Sequence, residues 1–168
     1  FNLDGHGSGS CLAHLLKLNC TKWLPPDGTL IPKGELTDVA GTPMDFTAEK
    51  VIGSQMTEDF EPIRIGKGYD HCWVADKENG EFKEIATLRS EKSGRKLTVA
   101  TTQPGVQVYV GGWLEGCPEG KNGAVYHDYS AVAIECQGCP DAPNHPAFPS
   151  QRLDPGKEYH QVIRFTFD

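Results

Sequence analysis

The chain has 168 residues and a formal charge of −7, with 23% charged and 38% apolar residues. That length supports one domain with its own core, and the acidic balance argues against nucleic acid or an anionic membrane as the main partner. No apolar run approaches a membrane span and nothing at the start reads as a signal peptide.

Nineteen glycines and twelve prolines are scattered along the chain. They imply many turns and short elements, so an all-β fold is expected. Phe1-Asn2-Leu3 reads as the inside of an element, which marks the chain as a fragment or a processed product. Leu12 to Leu18 is apolar enough for a helix but poorly capped, and an extended segment fits equally well. Trp23 to Phe46, with PPDGTLIPKGEL and VAGTPMDF, predicts turns around short extended pieces.

Beyond that loop the period of two is clear. Asp70, Cys72 and Val74 alternate with Tyr69, His71 and Trp73, and Leu97 and Val99 oppose Lys96 and Thr98. Val106, Val108 and Val110 share a face, which puts Gln107 and Tyr109 on the other. A strand over 129–137 would set Tyr129, Ala131, Ala133, Glu135 and Gln137 against Ser130, Val132, Ile134 and Cys136. A closing strand carries Tyr159, Ile163, Phe165 and Phe167, alternating with Val162, Arg164 and Thr166. Turn signals such as Lys92-Ser93-Gly94 and Asp154-Pro155-Gly156 separate these runs, and the sum is an antiparallel β-sandwich.

The six cysteines, Cys11, Cys20, Cys72, Cys117, Cys136 and Cys139, have no regular disulfide spacing. Cys136 and Cys139 form a lone CxxC without a second pair, so buried thiols are expected rather than a metal site. The compartment stays open, with the cytoplasm favoured.

Glu135 is the first candidate for chemistry. A carboxylate among alanines on a strand is costly to desolvate without a ligand, and small neighbours leave room above the sheet for a polyol. The competing reading is a glutamate on a solvated face. Gln107 offers both a donor and an acceptor to hydroxyl groups, or a cross-strand hydrogen bond. Asp70 and His71 are adjacent on a strand, so they point to opposite faces and cannot form a dyad. Gly66 and Gly68 suggest a turn delivering Asp70 to a strand end, and His71 reads as a packed histidine. His127, His145 and His160 are isolated, and Pro140 to Pro149 reads as a loop that could rim a pocket but more simply covers a sheet edge.

Together these segments resemble the aldose 1-epimerase (galactose mutarotase) family. The resemblance runs through FNLDGHGSG, LIPKGELTDVAGTPMDF, GYDHCWV, TTQPGVQVYVGGWLEG, GKNGAVY, ECQGCPDAPNHPAFPS and LDPGKEYHQVIRFTF, in the family's order from Phe1 to Phe167. It implies an incomplete supersandwich of the mutarotase type. It also implies hexose anomers interconverted by acid–base ring opening, Glu135 as the catalytic base, Asp70 and Gln107 as sugar contacts, and no metal or organic cofactor. The implied partner is a monosaccharide such as galactose or glucose.

The family's acid histidine lies in an N-H-x-Y-F-N-L-like segment, and this chain begins at the Phe of that segment. The chain therefore resembles the C-terminal half, and the resemblance implies a missing N-terminal half as a partner. Family members also usually carry Asn at the position of Gly112. Two other readings compete: a non-catalytic carbohydrate-binding module that keeps Asp70 and Gln107, and a glycosidase pairing Asp70 with Glu135. The last is disfavoured because no second carboxylate is expected on the Glu135 face. Loss of a half should leave apolar strand faces unpartnered and an edge open.

Overall fold

The computed structural model describes residues 1–57 and 59–168. Two five-stranded antiparallel sheets face each other. The first runs β10-β7-β6-β1-β4 and is built from Ile163–Phe167 (β10), Lys96–Thr101 (β7), Lys83–Arg89 (β6), Leu15–Leu18 (β1) and Lys50–Val51 (β4). The second runs β3-β2-β5-β8-β9, from Thr37–Asp38 (β3), Lys22–Trp23 (β2), Asp70–Val74 (β5), Gly105–Tyr109 (β8) and Ala133–Gln137 (β9). The fold is an all-β sandwich, and Leu15–Leu18 settles as a strand, not a helix.

The core lies between the sheets. Leu16, Leu18, Leu88, Leu97 and Val99 come from the first sheet, and Trp73, Val106, Val108 and Ile134 from the second. Each such side chain contributes about 1.5–3 kcal/mol when buried. Trp73 sits at the centre, fully buried, with its indole N–H donating to the Met44 carbonyl at 2.9 Å. Phe46 and Tyr69 pack edge-on to each other at 5.1 Å, and both rings lie against Trp73. The proline-rich run 23–46 is thus tied to the core at its C-terminal end.

Among the described residues one α-helix precedes β5. Glu61–Gly66 (α1) carries Pro at its start and Glu61 in its first turn, and ends on Lys67 in a left-handed conformation. Proline in the first turn is a helix-start signature that a search for strand alternation passes over, while the left-handed cap falls on Lys67 and not on a glycine. The turn expected at Gly66 and Gly68 is therefore the end of this helix, and it does deliver Asp70 to the start of β5.

β10 pairs in register with β7, so Phe167 lies beside Leu97 and Phe165 beside Val99. Leu97 and Val99 are fully buried, yet Phe165 and Phe167 are 41% and 60% exposed and contact Phe1. The core face of the first sheet thus extends past the area the second sheet covers, as an unpartnered apolar edge would. Phe165→Lys is predicted to lower concentration-dependent light scattering while leaving the secondary structure unchanged. Trp73→Ala, in contrast, should cost about 3–5 kcal/mol in urea unfolding.

Candidate functional site

The alternation of β5, β8 and β9 decides which side chains leave the core. Trp73 pairs with Val106, and His71 with Val108, which pairs in turn with Ile134; these face inward. The opposite face of the same sheet then carries Asp70 and Cys72 on β5, Gln107 on β8, and Glu135 and Gln137 on β9. Gln107 is directly across from Glu135, so their Cβ atoms are about 4.5–5.5 Å apart. The Gln107 side-chain amide donates to Asp70 Oδ1 at 2.7 Å. That bond leaves the Gln107 carbonyl oxygen and one N–H to meet a ligand.

All three residues line one cavity of about 260 Å³. Its floor is polar: Asp70, Gln107, Glu135 and Gln137. Its wall is apolar, with Leu24, Pro26, Leu30 and Pro32 from the proline-rich loop, and Pro140 at the rim. Both loops are anchored. Leu24 and Cys72 join Cys139, Ala142 and Phe148 in a small second core on this face. The His145 ring occupies the space a Cβ at Gly34 would need, with 2.4 Å to the nearest ring atom.

Several expectations change. The strand expected over 129–137 begins only at Ala133, because Tyr129 adopts a left-handed φ of 65° and packs against the main core. The alanine floor therefore reduces to Ala133 beside Glu135, and Ala131 borders a different depression with His6 and Tyr126. Glu135 itself is exposed. Its place on the cavity floor, and not burial among alanines, is what marks it. Asp70 shares that face, so a second carboxylate is present where none was expected. Of the loop 140–149, Pro140 rims the cavity, the first of the two roles expected for it, and Ala142 and Phe148 build the second core.

The cavity wall at Leu24, Pro26, Leu30 and Pro32 was missed, since a proline- and glycine-rich run shows no periodicity to read. Gly112 does not line this cavity. A Cβ there would meet the Lys67 carbonyl oxygen at 2.1 Å, so close backbone approach accounts for the glycine.

The cysteines Cys11, Cys20, Cys72 and Cys139 are buried thiols, and burial pushes the Cys11 thiol up to about 11. Among the described residues no group of three or more metal-ligating side chains occurs. Of the histidines, His6 meets the Tyr126 hydroxyl, His127 meets Glu115, and buried His14 accepts the Leu3 N–H. His71 is the one that borders the cavity, packed edge-on to Trp23 and Trp73, where its Nδ1 accepts the Asp70 N–H at 3.0 Å. Burial lowers its pKa from 6.5 to about 4, against a weaker upward pull from the Pro62 carbonyl.

The unfolded chain therefore binds a proton at position 71 between about pH 6.5 and 4 while the folded chain does not. Stability held by neutral His71 is complete above that window. It is lost as the pH falls through it, by about 3 kcal/mol at full extent. Urea titrations at pH 7 and pH 4.5 should show this fall in the wild type and a smaller one in His71→Gln.

The sequence profile of the aldose 1-epimerase family matches residues 1–166. Galactose mutarotase of Mus musculus is 41% identical over 167 residues, covering 99% of this chain and 47% of the relative. Aldose 1-epimerase of Escherichia coli K12 is 36% identical over 169 residues, covering 99% and 48%. Among solved structures, an aldose epimerase homologue from C. elegans superposes with a TM-score of 0.82 at 31% identity, covering 96% of this chain and 47% of that one. The galactose 1-epimerase of Lactobacillus acidophilus, at 24% identity and a TM-score of 0.69, shares the fold. The chain spans about half the length of the curated relatives it matches.

Proposed function

Because this chain belongs to the aldose 1-epimerase family, we propose that it supplies the base side of a sugar mutarotase site, with a hexose such as galactose or glucose as substrate. The contiguous row Asp70–Gln107–Glu135 on the floor of one cavity carries this reading. Glu135 takes the proton from the anomeric hydroxyl as the C1–O5 bond breaks, and the ring oxygen receives a proton. The open aldehyde rotates about C1–C2, and closure on its other face returns both protons and gives the other anomer. Asp70 and Gln107 hold other hydroxyls, and their mutual hydrogen bond orients both before the sugar arrives.

The ring oxygen needs an acid. His71, the only histidine among the described residues to border the cavity, is packed between two indoles and held neutral. We assign protonation of the ring oxygen to a histidine outside residues 1–168, in a complementary half carried by the same polypeptide or a second one.

Glu135→Gln, in protein containing both halves, is expected to slow mutarotation of α-D-galactose in polarimetry by about 10²–10⁴-fold while sparing sugar binding. Turnover at the wild-type rate would place the base elsewhere.

A further inference from the structure

The apolar wall of the cavity is built around a strained residue. Residues 25–33 fold back on themselves: Lys33 N–H donates to Pro25 O at 3.0 Å, Asp27 N–H donates to Ile31 O at 2.7 Å, and Pro26 bridges Pro32. At the tip, Asp27 Oδ1 accepts three bonds, from the Thr29 N–H, the Thr29 hydroxyl and the Ile31 N–H. Leu30 N–H donates to Asp27 O. Within this frame Leu30 has a φ of 66°, the left-handed region that glycine and asparagine enter readily and leucine does not.

Strain of this kind persists where the surroundings over-determine it, and it clusters at ligand sites. Here the surroundings are the Asp27 bonds, and the result is an apolar side chain lining a cavity whose floor is Asp70, Gln107 and Glu135. A glycine at 30 would relieve the backbone but leave the wall open.

We propose that Leu30 is a specificity-determining residue that packs on the C–H face of the bound pyranose. The inference rests on the sugar-site reading above and narrows it. A pyranose is two-sided, with hydroxyl groups around its edge and C–H bonds on its faces. In galactopyranose the axial O4 leaves the hydrogens of C3, C4 and C5 contiguous on one face. In glucopyranose the C4 hydrogen points to the opposite face and breaks that patch. A wall of Leu30 with Pro26 and Pro32 opposite a hydrogen-bonding floor therefore favours the galacto configuration, since apolar contact scales with the C–H surface it removes from water.

The test compares wild type, Leu30→Gly and Leu30→Asn by calorimetric titration with D-galactose and with D-glucose, alongside thermal unfolding without sugar. Both replacements tolerate a left-handed backbone. The wild type is expected to prefer galactose by about fourfold, the worth of one buried CH₂-sized contact. Both variants should bind galactose about tenfold more weakly and lose the preference, with Leu30→Gly melting at or above the wild-type midpoint. The inference is overturned if the variants keep wild-type affinity and preference, or if affinity falls only in step with the melting midpoint. A wild type that binds neither sugar fails in a different arm: it refutes the sugar-site reading, and this inference with it.

Discussion

The inward packing of Trp73, Val106, Val108 and Ile134 is the constraint on which the site depends. These residues commit one face of β5, β8 and β9 to the core. A one-residue slip of any of the three strands would carry its entire apolar set into solvent, so the register is fixed by burial. The outward face then has no freedom: Asp70, Gln107 and Glu135 must fall on neighbouring strands above one floor. The bond from Gln107 to Asp70 is a consequence of that register, and it orients the pair without help from a loop.

The loops make a different contribution. The floor alone would be a flat polar strip. The ribbon of residues 25–33 and the turn after β9 convert it into a cavity, because Leu24, Cys72, Cys139 and Phe148 form a second core on the same face. Gly34 admits the His145 ring between the two loops. A sheet face that would otherwise be solvated is thereby split into an apolar support and a polar floor, and a ligand with hydroxyl edges and C–H faces matches that division.

How much was legible beforehand varied with the physics of each segment. Val106, Val108 and Val110 placed Gln107 outward unambiguously, since a strand has only two faces. The same rule failed for Tyr129, whose left-handed backbone ends the alternation before Ala133; no composition signal announced that break. Asp70 was readable as lying on the face opposite His71, but its partnership with Gln107 needed the pairing of β5 with β8, a long-range fact. Leu30 was beyond reach because its position follows from Asp27 side-chain bonds and not from any period. The helix Glu61–Gly66 was within reach through Pro62 and Glu61. The family resemblance suggested the roles proposed for Glu135, Asp70 and Gln107, and the structure places the three residues on one cavity.

The central claim is that Asp70, Gln107 and Glu135 act as one sugar-binding row. A ¹H–¹⁵N spectrum recorded during titration with D-galactose tests it most directly. The account predicts that the Gln107 side-chain amide and the backbone amides of 70, 107 and 135 shift together along one saturable curve, while the amide of Asp38 at the far edge of the same sheet stays still. Saturating sugar that leaves the Gln107 amide unmoved would contradict it.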